Sequence, residues 1–269
     1  MKIVLTGSTG NLGKLILKQL LFRCRAEDLI LSVRQPPIAE EYTDPNLGIR
    51  YGDYDVPESL EPAFRGAAKL MMVSSPCMDD VVRLQQHLSV IEAARQAGIK
   101  HIVYTSICSP EKGRLSVHKL HLDTEQAIRE SNIPYTILRN AYYTDIVKLL
   151  GIREAAASGV LVSPPGHWIF NTASRWDLAH AAAVVLTEEG HEDRTYELAP
   201  MRTWNLDDLA SSISEVTGRK VVRRTDNDYQ NHVYRMLPYS DMRFVSKDLA
   251  RLVGQPLRTV TDEVRDIFG

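Results

Sequence analysis

The chain opens on a short apolar run, Ile3-Val4-Leu5, then a glycine-rich turn, then apolar residues at helical spacing (Leu12, Leu15, Ile16, Leu20). Up to about Tyr143, short β-type runs keep alternating with amphipathic stretches. The pattern predicts strands over Lys2–Thr6, Leu29–Val33, Gly48–Tyr51, Leu70–Ser74, His101–Ser106 and Tyr135–Arg139. It predicts helices over Asn11–Phe22, Pro57–Phe64, Asp79–Ala97 and Ser116–Ser131. Pro57 in a first turn and Gly98 after the Ala94–Ala97 stretch are sound helix punctuation. Strands alternating with helices are the mark of a parallel α/β sheet, and six of them with right-handed crossovers make a doubly wound, Rossmann-type sheet.

After Tyr143 the periodicity loosens. Ser163-Pro-Pro-Gly166 reads as a turn, Trp176–Leu186 as a helix and Thr195–Leu198 as a strand. Asn205–Val216 reads as a capped helix ending at Gly218, Lys220–Arg223 as a short strand, and Ser246–Val253 and Thr259–Phe268 as helices. The expected division is a nucleotide-binding domain over residues 1–143 and a small α/β C-terminal substrate lobe over 144–269, with elements free to interleave.

With 269 residues, 44% apolar and 25% charged, the chain can bury a substantial core. A formal charge of −2 and the lack of any basic block argue against nucleic acid as a partner. No apolar run approaches a membrane span, and the glycine turn interrupts any secretory leader. Cys24, Cys77 and Cys108 are odd in number and widely spaced, which reads as reduced thiols in a cytoplasmic protein.

The glycines give the candidate chemistry. Gly7 turns the backbone after the first strand, Gly10 removes a Cβ that would block a pyrophosphate, and Gly13 lets the helix pack closely. The backbone of Gly7, Ser8, Thr9, Gly10, Asn11 and Leu12 would then face the phosphates at a helix N-terminus. A tight turn without a ligand is the bland alternative. After the second strand stands Arg34, where an NAD site would place a carboxylate; the first acid beyond it is Glu40. A guanidinium can pair with a 2′-phosphate, which favours NADP(H), although a solvated Arg at a strand end is commonplace.

Asp53 and Tyr54 close the third strand. Asp53 could accept from an adenine amino group or cap the next helix, and Tyr54 could cover the ring. Ser74, Ser75 and Pro76 close the fourth strand, Thr105 and Ser106 the fifth, and Asn140 the sixth. These ends flank the switch point, where a nicotinamide would lie. One of Tyr142 and Tyr143 should face this pocket, and Tyr143 is the candidate; packing under the lobe is the other reading.

The strings TGSTGNLG, Val-Arg, GDYD-x-PESL, YTS, H-x-x-TE-x-x-I and YTILRN-x-YY resemble the NmrA-like, atypical branch of the short-chain dehydrogenase/reductases. Within it the chain is similar to the NADPH-dependent quinone oxidoreductase 2 group, and TYELAPMRTWNLDDLA and SKDLARLVGQPLRTV extend the likeness over nearly the whole chain. The resemblance implies a Rossmann domain, NADPH at the glycine loop and a small-molecule acceptor, a quinone by analogy, in a C-terminal pocket. It also implies possible pairing of two copies through the helices after strands four and five.

Standard short-chain dehydrogenases carry a Tyr and a Lys four residues apart on the helix after the fifth strand. Registered on Glu125, those positions hold Val117 and His121 here. Ser106 is kept, and His121 could contact ribose or donate a proton. Ser106, His121 and Tyr143 are therefore the catalytic candidates, with no metal: His118 and His121 lack a third ligand nearby. Reduction of a ketone needs a positioned acid, whereas reduction of a quinone gives a delocalised anion that solvent can protonate. The segment between Asp226 and Arg243 is shorter than the group's pattern; Tyr234, Met236 and Tyr239 could line a flat apolar pocket there or pack within the lobe. The rival function is a non-catalytic NADP(H)-sensing regulator, and a third is reduction of another conjugated electrophile, such as a dye or nitro compound.

Overall fold

A computed structural model describes residues 1–36 and 44–269; Glu40 lies outside the described residues. The first half runs β1 (Ile3–Thr6), α1 (Asn11–Leu21), β2 (Leu29–Val33), β3 (Gly48–Tyr51), α2 (Leu60–Phe64), β4 (Lys69–Met72), α3 (Asp80–Gln96), β5 (His101–Ile107), α4 (Ser116–Glu130) and β6 (Tyr135–Asn140). Then follow β7 (Tyr142–Tyr143), α5 (Ile152–Ser158), β8 (Val160–Ser163), β9 (Ile169–Phe170), β10 (Thr172–Ala173), α6 (Arg175–Thr187) and β11 (Arg194–Leu198). The tail adds β12 (Trp204–Asn205), α7 (Leu206–Thr217), β13 (Val222–Thr225), α8 (His232–Met236), α9 (Asp248–Val253) and α10 (Val260–Phe268).

The main sheet has the order β11-β6-β5-β4-β1-β2-β3, and every neighbouring pair is parallel. Strand order reverses between β1 and β4, so a crevice opens there at the carboxyl ends of the strands. One face of the sheet buries α1, α6 and α9 around Leu12, Ile16, Leu20, Ala179, Ala182 and Leu249. The other buries α2, α3 and α4 around Leu60, Phe64, Val90, Ala94 and Ile128. The lobe has its own core, built on Val147, Leu161, Phe170, Leu209, Ile213 and Val264.

Two expectations change. The run Thr195–Leu198, read as part of the lobe, is the seventh strand of the main sheet, in register with Ile137–Asn140 of β6. Leu198 is fully buried there, and the strand covers an edge that six strands would leave open. The helix read from Trp176 begins at Arg175 and packs on α1 through Ala179, Ala182 and Ala183, small residues that let two helices approach closely. The chain therefore returns to the sheet after residue 144.

The fourth strand stops at Met72, short of Ser74, for a local reason. The Val73 N–H donates to Thr6 Oγ1 (3.0 Å) and the Ser74 N–H to Thr105 Oγ1 (2.9 Å). Side-chain hydroxyls replace the ladder and bend the chain away from the sheet.

Candidate cofactor and active site

Gly7 has φ +63°, a conformation that L side chains rarely adopt, and so turns β1 into the loop. A Cβ on Gly13 would lie 2.0 Å from the Gly7 carbonyl oxygen, so the first turn of α1 sits directly on that loop. Gly10 is the N-cap of α1 and offers no side-chain acceptor to the helix, which leaves its first N–H groups open. Beside them is a cavity of about 600 Å³, lined on this side by Gly7, Thr9, Gly10, Asn11 and Leu12. Ser8 is buried, outside the cavity wall.

Arg34 is exposed on the cavity wall, and among the described residues no carboxylate pairs with it. Asp53 also lines the cavity. Its Oδ1 accepts the Asp55 N–H (3.0 Å), while the helix after it draws no side-chain cap, so the capping reading is set aside. The Tyr54 hydroxyl lies 2.7 Å from Thr6 Oγ1 and 3.0 Å from the Val73 carbonyl, and burial pushes its pKa up. This phenol anchors the loop after β3 to β1 and β4, while part of the residue still faces the cavity.

Ser74, Ser75 and Pro76 form the opposite wall, held by α3. The Ser75 N–H donates to His87 Nε2 (3.0 Å), which leaves the proton on Nδ1 to donate to Thr124 Oγ1 (2.9 Å). Burial, with Arg83 nearby, pushes His87 down to about 3, so the ring stays neutral and keeps this orientation. Arg83 Nη2 donates to Ser74 Oγ (2.7 Å). Ser75 Oγ donates to Gln86 Oε1 (2.5 Å), and Gln86 Nε2 donates to Asp55 Oδ1 (2.5 Å). Gln86 thus ties the two walls together. Sequence reading missed all three α3 residues. The available signal was a polar pair, Gln86-His87, on the inward face of a helix whose next turn presents Val90 and Ile91.

Past β6 the Tyr pair divides. Tyr143 lines the cavity, whereas the Tyr142 hydroxyl lies 2.8 Å from Ser240 Oγ in the lobe. Burial raises the Tyr143 pKa, with Arg175 opposing, so the phenol is protonated at neutral pH. The Arg175 guanidinium stacks on the Tyr143 ring, 4.1 Å from its centroid, and pairs with Asp145. Arg175 lines the same cavity and was not anticipated.

The remaining candidates sit off the wall. Thr105 Oγ1 is occupied by the Ser74 N–H, and Asn140 is buried with its Oδ1 unpartnered. Ser106 Oγ donates to Glu125 Oε1 (2.6 Å). Glu125 is fully buried and takes two hydrogen bonds from Arg139, which also reaches Glu111 and Glu197. His121 is buried, its Nδ1 2.8 Å from the Tyr104 hydroxyl, and burial holds its pKa well below the ordinary imidazole range. Both side chains are engaged in structural networks. Tyr234 packs inside the lobe against Trp168, and Met236 and Tyr239 are exposed; none of the three lines the cavity.

A dinucleotide fits what is present. A diphosphate would suit the N-terminus of α1, which has no side-chain cap at Gly10, and a negative ribose substituent would suit the Arg34 guanidinium, with which no described carboxylate pairs. Among the described residues no group of three His, Cys, Asp or Glu could hold a metal, and no helix is long and apolar enough to cross a membrane.

Residues 7–189 match the family model described as NAD(P)H-binding. The chain is 32% identical to quinone oxidoreductase 2 of Escherichia coli, over 99% of this chain and 98% of that one. Triphenylmethane reductase of Citrobacter sp., solved with NADP(H), superposes with a TM-score of 0.91 at 38% identity, covering 99% of both chains. The E. coli quinone oxidoreductase solved with NADPH gives 0.87 at 31% identity, over 99% of this chain and 100% of that one. The chain therefore belongs to the NAD(P)H-binding family, in its NmrA-like branch of atypical short-chain dehydrogenase/reductases, and is an NAD(P)H-dependent oxidoreductase.

Proposed function

We propose that this chain reduces planar conjugated acceptors, quinones foremost, with NADPH as electron donor and without a Tyr–Lys pair. One observation carries the reading: at the acceptor end the described cavity wall holds a single phenol, Tyr143, and no amine or imidazole. When bound, NADPH supplies a hydride and leaves as NADP⁺, and a quinone that also takes up one solvent proton becomes the hydroquinone.

The chain's own part is then binding and orientation. Gly7, Thr9, Gly10, Asn11 and Leu12 hold the diphosphate, and Arg34 reads the 2′-phosphate. Asp53 and Tyr54 bound the adenine side. Ser74, Ser75 and Pro76, braced by His87 and Gln86, fix the floor on which an acceptor can stack, so proximity supplies most of the acceleration. The Tyr143 hydroxyl, kept protonated, donates a hydrogen bond to an acceptor oxygen. Thr105, Ser106, Asn140 and His121 support these walls from behind.

The 38% identity to a triphenylmethane reductase adds a second acceptor class. A triarylmethane cation takes hydride at carbon and needs no proton, so it too tolerates a site lacking a positioned acid. The test is NADPH consumption, followed by absorbance, with a panel of benzoquinones, naphthoquinones and triarylmethane dyes. Acceptor-dependent oxidation is expected. Tight NADPH binding with no oxidation by any acceptor would instead favour the NADP(H)-sensing regulator.

A further inference from the structure

Arg83 stands one turn into α3, near a helix N-terminus whose own dipole disfavours a cation. Its Nη2 holds Ser74 Oγ, and Ser74 lines the cavity. Its Nε is buried with no hydrogen-bond partner, and among the described residues no carboxylate forms an ion pair with it. Asp79, at the start of the same helix, accepts the Val81 and Val82 N–H groups, and Asp55 is bound to Gln86. The other cation of the region, Arg175, is neutralised by Asp145. Arg83 is thus an uncompensated guanidinium behind the acceptor wall. Its field reaches four groups there, adding to the depression of the His87 and His121 pKa values and opposing the rise at Tyr104 and Tyr143. A partly buried cation without a counter-charge favours an anion beside it.

We propose that Arg83 is the specificity-determining residue of the acceptor end, and that it selects acceptors carrying or developing negative charge on oxygen, as quinones and hydroxyquinones do, over cationic dyes. The proposal rests on the reductase reading and divides its two acceptor classes. Arg83 acts as a positioning residue, through Ser74 and through its charge.

The experiment compares two probes on the protein saturated with NADP⁺, so that no turnover intervenes: the anion of 2-hydroxy-1,4-naphthoquinone and a triarylmethane cation. Dissociation constants are read by fluorescence quenching. The unmodified protein is expected to prefer the anion by about tenfold, Arg83→Lys to keep most of that preference, and Arg83→Gln to lose it while retaining its thermal midpoint. A parent that binds the cation more tightly overturns the proposal without any variant, and so does a preference that survives in Arg83→Gln. NADPH oxidation by the parent is scored separately. Its absence defeats the reductase reading, while the anion-to-cation ratio still reports on Arg83.

Discussion

Gly13 lies so close to Gly7 that a methyl group on its α-carbon would stand 2.0 Å from the Gly7 carbonyl oxygen and 2.6 Å from its carbonyl carbon. The obstacle is backbone, which cannot swing aside. Gly10 differs: it lines the cavity, and its added methyl would meet only that same oxygen, at 3.3 Å. Gly13→Ala is therefore expected to cost about 1–3 kcal/mol of stability, lowering the thermal midpoint by several degrees, together with NADPH affinity. Gly10→Ala should weaken NADPH by tenfold or more with little change in midpoint. Calorimetry of binding and unfolding on both variants checks the contrast; equal midpoints would remove the packing role of Gly13.

Arg34 is exposed beside the cavity with no described carboxylate to occupy it. Arg34→Asp exchanges a phosphate partner for a group that repels phosphate and accepts from a ribose 2′-hydroxyl. NADPH should weaken by about a hundredfold and NADH by less than about threefold, read as dissociation constants by fluorescence titration. Equal losses for both cofactors would mean that Arg34 does not distinguish them.

Ser106 and Tyr143 were both catalytic candidates, and their surroundings now separate them. Ser106 Oγ is spent on Glu125, whereas Tyr143 faces the cavity under the Arg175 guanidinium. Ser106→Ala is expected to leave quinone turnover within about twofold and to cost about 1 kcal/mol of stability. Tyr143→Phe should slow turnover about tenfold, because a donor to the acceptor oxygen is lost, with little effect on NADPH binding. Steady-state kinetics with one quinone decides. A Ser106→Ala enzyme slowed more than the Tyr143→Phe enzyme would return Ser106 to the reaction.

Most of the sheet was legible because local pattern and tertiary role agree: Ile3–Thr6 is apolar, followed by glycines, and can only be a buried strand feeding a loop. That the glycine loop, Arg34, Asp53 and Ser74–Pro76 line one cavity was legible for the same reason, since each follows a strand end that topology brings to the crevice. What failed was long-range. Nothing local in Thr195–Leu198 says that it pairs with Ile137–Asn140 of β6. Nothing local in Ser106 says that Glu125 and Arg139 will close over it. Arg175 sits one residue before the expected helix start, and only the pairing of β7 with β10 carries it to Tyr143.

The buried histidines set the response to acid. His87 is held down to about 3 and His101 to about 4, in both cases chiefly by burial, and burial also lowers His118, His121, His180 and His191. In the unfolded chain such a ring titrates near 6.5. Between that value and the folded one the unfolded state binds more protons, so stability rises with pH and is lost as pH falls below about 6.5. At pH 5 this amounts to about 2 kcal/mol for each of His87 and His101, a large part of an ordinary folding free energy. Paired carboxylates mostly titrate lower, so the window from pH 7 to pH 5 isolates the imidazoles. The thermal midpoint should fall steeply across it, while NADPH affinity of the folded protein holds, because His87 stays neutral there and keeps accepting the Ser75 N–H. A midpoint that stays flat from pH 7 to pH 5 would mean that these rings are already charged, or free to reach water, in the folded protein.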